Sequence, residues 1–152
     1  AKMAIQRSEK AVLGSCLWDA ASAANNVGRY RDVLQQHYHR YPALMPRYTF
    51  IDKNAPKKVK GVKMIDTPDG NMLVWLKRDK KVSPMDEAWR YVVYCFADGE
   101  PIDLDNPKNI VAITSSTYYK IPANEKGKRT YVVTVLDRMQ NESKGVKCKI
   151  KK

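Results

Sequence analysis

YVVYCF, residues 91–96, and YVVTVL, residues 131–136, decide the fold. Both are short apolar runs rich in β-branched and aromatic residues, too short for a buried helix and flanked by polar or turn-forming residues, so they read as strands. Tyr91, Val93 and Cys95 share one face of the first, and Tyr131, Val133 and Val135 share one face of the second, because successive strand side chains alternate. Similar runs stand at 62–65, 72–76, 110–113, 118–121 and 146–150. Seven short strands at roughly 8–20 residue spacing, punctuated by Gly and Pro, predict an immunoglobulin-like sandwich over residues 59–152. Asp69 and Gly70 between two runs signal a hairpin. Trp75, with Leu73 on the same face, joins the two rows as expected core. The Pro-bearing stretch after Asp98 and Gly99 is a long polar connection.

The chain has 152 residues with 43% apolar side chains, enough for a packed core. No run approaches the ~20 apolar residues of a membrane span. There is no signal peptide, and Ala1 stands at the head of a helix-forming stretch, which predicts a fragment of a longer protein. The formal charge is +12, but the lysines and arginines are interrupted by Asp66, Asp69, Asp79 and Asp137, so no nucleic-acid site is expected. Val146, Cys148 and Ile150 alternate with Lys147, Lys149 and Lys151. This places the lysines on the solvent face of a strand, where they either discourage edge pairing or form an anionic-ligand surface. Cys16, Cys95 and Cys148 lack metal-ligand spacing. Cys95 and Cys148 fall on inward positions, as buried free thiols or, if their strands face, as a disulfide.

Residues 1–46 differ from the rest. Residues 1–10 have helical composition, 12–18 form a short apolar run, and 28–41 space Tyr30, Val33, Leu34, His37, Tyr38 and Tyr41 as an amphipathic helix that Pro42 ends. Residues 47–58 read as a linker whose Tyr48, Phe50 and Ile51 pack against a neighbouring unit.

Three stretches together carry a family resemblance: RYVVYCFADGEPIDLDNPKNIVAI at 90–113, TYVVTVLDRMQNES at 130–143, and YPALMP at 41–46. They resemble the C-terminal part of a bacterial glycosyl-hydrolase-like family, a (β/α)8 barrel followed by a fibronectin type III-like domain. The resemblance implies that 12–18 match the last barrel strand and 28–41 the last barrel helix. It implies that the upstream barrel is the partner, that polysaccharide is the ligand class, and that the parent is exported to the periplasm or cell surface, often lipoprotein-anchored. The family's catalytic carboxylates lie upstream, so no catalytic residue is carried over. Where the family often has aromatic and serine residues after the last strand, this chain has Leu17, Trp18, Asp19 and Ala20.

Glycoside hydrolysis generally needs two carboxyl groups flanking the bond. Asp98, Glu100, Asp103 and Asp105 cluster in sequence but lack calcium-loop spacing, and read as a solvated loop. His37 and His39, two apart on a helix, diverge, so one packs and the other meets solvent. No cofactor and no metal are expected. Trp18 and Asp19 would line substrate in an intact parent, since barrel sites assemble at the C-terminal ends of strands. Equally, Trp18 would pack in a helical remnant and Asp19 would cap a helix. The whole predicts a mainly β chain: a barrel-end remnant at 1–46, a linker at 47–58 and a seven-stranded sandwich at 59–152. It acts as a non-catalytic accessory module, or as a basic adhesion module for an anionic glycan or protein.

Overall fold

The computed structural model describes residues 2–12, 16, 19–77, 83–125 and 127–148. The chain forms two compact units, Ala1–Arg40 and Tyr41–Lys152.

The second unit holds seven strands: β1 (Lys60–Thr67), β2 (Gly70–Leu76), β3 (Arg90–Ala97), β4 (Ile110–Thr114), β5 (Tyr118–Lys120), β6 (Arg129–Leu136) and β7 (Val146–Lys147). All the expected strands are present; residues 149 and 150 of the last lie outside the described residues. They form two antiparallel sheets, ordered β1-β2-β5 and β4-β3-β6-β7. The β1–β2 hairpin closes with Thr67 opposite Gly70, leaving Pro68 and Asp69 as the loop. Proline suits the second position of such a turn, and Gly70 at φ 109° takes a conformation that other residues resist.

One cluster draws from both sheets: Leu73 and Trp75 from the smaller, and Tyr91, Val93, Tyr131, Val133 and Val135 from the larger. The two inner rows expected from alternation are therefore core, with Trp75 and Tyr91 meeting edge-to-face at 5.5 Å between centroids. The outer face of β2 behaves as alternation requires, with Leu76 exposed.

The larger sheet is buried on its other face too. Val92, Tyr94, Phe96, Ile110, Val132 and Leu136 form a second cluster, packed with Leu44, Leu104 and Ile113. The cover thus comes from residue 44, ahead of the strands, and from the long β3–β4 connection. That connection is itself ordered. Glu100 accepts the Ala97 amide at 3.0 Å and pairs with Lys108 at 3.0 Å, and the Asn109 amide donates to the Asp103 carbonyl at 2.9 Å. Residues 47–58 also touch this unit: the Tyr48 amide donates to the Met139 carbonyl at 2.9 Å and Pro56 is buried, with Val59 just beyond them in the first cluster.

Polar groups under the second cover are satisfied. The hydroxyls of Tyr94 and Thr134, both fully buried, donate to the same Glu142 oxygen at 2.7 and 2.5 Å. One carboxyl oxygen has lone pairs enough to accept both donors. Gly145 allows the chain to cross close to β6, since a Cβ there would lie 2.5 Å from Val132 Cγ1. Valine is stiff at χ1. Gly145→Ala is therefore expected to destabilise the unit by ~1–3 kcal/mol, read as a lower urea midpoint at unchanged slope. An unshifted midpoint would show that Val132 yields freely.

The first unit contains α1 (Lys2–Ser8), α2 (Ala20–Ala24) and α3 (Tyr30–Val33), the last running into a π-helical turn over Leu34–Tyr38. Two expectations change here, and a third lies largely outside the described residues. The helix predicted over 28–41 begins only at Tyr30, because Asn26, Gly28 and Arg29 all have positive φ, and the Asn26 side chain bonds Asp32. The strand predicted over 12–18 falls largely outside the described residues, and Val12 and Cys16 stand in no strand. His37 and His39 are both exposed, rather than one of them packing. Arg7 links α1 to the end of the π turn, donating to the Tyr38 carbonyl at 2.9 Å with its guanidinium 5.1 Å from the Tyr38 ring centre. Leu34 is the one buried side chain among the described residues of this unit.

Candidate functional site

Trp18 lies outside the described residues. Asp19 is exposed at the start of α2, in a left-handed conformation at φ 77°. Its carboxylate accepts the Ser22 hydroxyl at 2.7 Å and the Ala21 amide at 2.9 Å. These bonds, the Ser22 one foremost, hold its carboxyl below the ordinary value. In this conformation Asp19 is an N-cap, and the capping bonds occupy an oxygen on each side of its carboxylate.

The cysteines are free thiols. Cys95 stands opposite Tyr131 on β6, and the Cys148 amide bonds the Tyr131 carbonyl from the other side. Two strand spacings separate the thiols' backbones, about 10 Å, beyond the roughly 7 Å limit for a disulfide. Burial, then the neighbouring Glu125 carboxylate, push the Cys95 thiol up to about 11, and burial raises Cys148. Burial raises Tyr94 and Tyr131 as well. All these groups bind protons more tightly folded than unfolded. Their contribution is complete below the unfolded thiol value near about 8.5 and is lost as pH climbs through the folded values. The urea midpoint should accordingly hold from neutrality to about pH 8.5 and fall steadily to pH 11. A midpoint flat across that range would show that these groups ionise without opening the core.

Two clefts flank the second cluster. The first, about 130 Å³, lies between the 43–45 segment and the ends of β3, β4 and β6, with Trp89 and Arg90 on its wall. Trp89 is 47% exposed and Met45 58%. The Trp89 amide extends the ladder by bonding the Leu136 carbonyl at 2.8 Å, which fixes where the indole emerges. One face of the indole carries the Arg138 guanidinium at 4.8 Å, a cation–π contact. Phe50, 83% exposed, meets Tyr48 edge-to-face. The second cleft has Leu44, Leu104, Pro107 and Ile110 around the carboxylates of Asp105 and Glu142. Glu142 is already committed to the two buried hydroxyls.

Sequence reading passed over Trp89. The available signal was a tryptophan one residue ahead of a strand, after the turn-rich stretch at 83–87. The lysine alternation is visible where described: Lys147 is exposed between partly buried Val146 and Cys148, on the edge strand of the larger sheet.

No family model and no solved structure matches the chain. It is 28% identical over 146 residues, 96% of its length, to a protein named Glycosyl hydrolase YngK from Bacillus subtilis (strain 168). The chain spans 28% of the length of that curated relative. The similarity relates it to a glycosyl-hydrolase-named protein. No helix among the described residues is long and apolar enough to cross a membrane.

Proposed function

We propose that the chain is the non-catalytic C-terminal module of an exported bacterial glycosyl-hydrolase-like protein. Its two-sheet unit is a fibronectin type III-like sandwich that packs on an upstream barrel or assists polysaccharide contact. The observation that carries this reading is the similarity to a glycosyl-hydrolase-named protein of which the chain spans 28%. The strand order supports the fold. The fourth strand pairs with β3 and gives three-plus-four sheets, whereas the immunoglobulin constant arrangement puts four strands with the first and three with the third.

Exposed Met45, Phe50, Ile51 and Trp89 supply apolar surface for a neighbour or a sugar face. Residues 1–46 would be the end of the barrel, and Leu34 as their one described buried side chain suits a piece whose partners lie elsewhere. Trp18 and Asp19 would line substrate only once the strand before them pairs and the α2 cap is released. The parent would be the enzyme, acting outside the cytoplasm and held by a lipid anchor.

The test is to assay the purified chain for hydrolysis of chromogenic glycosides and for retention on neutral and anionic polysaccharides. No turnover is expected, with retention on a neutral polysaccharide that Trp89→Ala weakens severalfold. Turnover abolished by changing one of the chain's own carboxylates would overturn the accessory role. Retention on anionic glycans alone, lost in salt, would instead favour a basic adhesion module, for which the charge of +12 is the motive.

A further inference from the structure

Asp52, Asp86 and Asp137 come from three separate stretches: the segment before β1, the β2–β3 connection, and the turn after β6. One carboxylate oxygen from each lies within 4.8 Å of the others. Asp137 is fully buried, and the other two are half-buried. Like charges at this spacing disfavour one another, more so away from water.

Asn141, only 2% exposed, reaches into the same cluster. Its backbone amide donates to Asp137 Oδ1 at 2.8 Å, and its Nδ2 lies 3.0 Å from Asp137 Oδ2 and 3.4 Å from Asp52 Oδ2. The Oδ1 of that side chain is enclosed and meets no hydrogen-bond donor. A buried amide oxygen without a partner is costly. A half-turn about the terminal bond exchanges the two amide atoms at almost no change in shape. Oδ1 then joins the carboxylate oxygens while Nδ2 gives up its bonds to Asp137 and Asp52, an exchange favoured only with a cation among the oxygens.

We propose that Asp52, Asp86, Asp137 and Asn141 form a divalent-cation site, and that its ion is calcium. The donors are all hard oxygens, with no nitrogen or sulfur ligand, which selects against zinc and copper. Calcium takes oxygens at about 2.4 Å, so it can bridge atoms up to about 4.8 Å apart, and the three carboxylate oxygens here lie within that limit. Magnesium at about 2.1 Å needs a tighter octahedral set. Three carboxylates and one amide oxygen leave positions for water or a main-chain carbonyl; that of Asp52 is already 3.4 Å from the Asn141 amide. A bound ion would tie the segment ahead of β1 to the β2–β3 connection and the turn after β6.

The whole chain, stripped with a chelator, should be titrated with calcium and separately with magnesium by calorimetry and thermal melting. One calcium per chain and a melting temperature raised by several degrees are expected, with a weaker response to magnesium. Asp86→Asn and Asp52→Asn, at half-buried positions, should keep the far-ultraviolet spectrum and weaken calcium binding about tenfold or more. Asp103→Asn, in the exposed β3–β4 connection, should leave binding unchanged. Absence of calcium heat and of a melting shift in the unsubstituted chain would overturn the site. So would a calcium response that survives both Asp86→Asn and Asp52→Asn. Equal responses to both ions would overturn the choice of calcium.

Discussion

Phe96→Ala is expected to cost ~3–5 kcal/mol, as much as Trp75→Ala, although the two side chains stand in different clusters. Both are almost fully buried, at 0% and 3% exposure. Truncating either removes a large apolar transfer term and leaves a cavity that a sheet backbone cannot collapse to fill. The comparison is diagnostic because the positions stand on opposite sides of the larger sheet. Were that sheet covered on one face alone, Phe96→Ala would fall within the usual surface range of about 0.5 kcal/mol. Urea unfolding of the two variants at unchanged slope measures the difference directly. A cost below ~1 kcal/mol for Phe96→Ala would show that the cover from Leu44 and Leu104 is open much of the time.

Hydrogen exchange should divide the chain sharply. Amides of β3 and β6 are expected to open only with global unfolding, and those of the first unit at a small fraction of that free energy. The helices of that unit have 7, 5 and 4 residues, well below the ~12–15 that give even marginal isolated helices. Leu34, their one described buried side chain, offers little packing to make up the deficit. Equal protection of Lys2–Ser8 and of β6, persisting at high dilution, would show one cooperative fold instead.

The strands were legible because their signal is local. Alternation and turn residues such as Asp69 and Gly70 place β1 to β7 without knowledge of any partner. The break before Tyr30 was less so. An amphipathic spacing over 28–41 says nothing of Asn26, whose side-chain bonds to Asp32 compete with helix continuation. The runs in β3 and β6 were read as alternating strands with one inner row each; their unbroken apolar character, a mark of a sheet covered on both faces, went unused. What covers it could not be read, because residue 44 and residue 104 meet the sheet only in three dimensions. The same holds for the site. Asp52, Asp86 and Asp137 are far apart in sequence, and no spacing rule connects them, whereas the conspicuous run from Asp98 to Asp105 is an ordered surface loop. Trp89 was visible as a residue and silent as a site, since its exposure follows from one ladder bond to Leu136.

The doubly covered sheet bears on where this chain could be cut. A polypeptide begun at Val59, one residue ahead of β1, would keep every strand. It would lose Leu44 from against the second cluster, and the main-chain bond from Tyr48 to Met139. The outer rows of β3 and β6 would then keep only the cover from the β3–β4 connection, baring part of an apolar stripe of the kind that drives sheets to stack on their neighbours. Expression boundaries, grafts and fusions should therefore enter at or before Tyr41, treating the eighteen residues ahead of Val59 as part of the domain's skin.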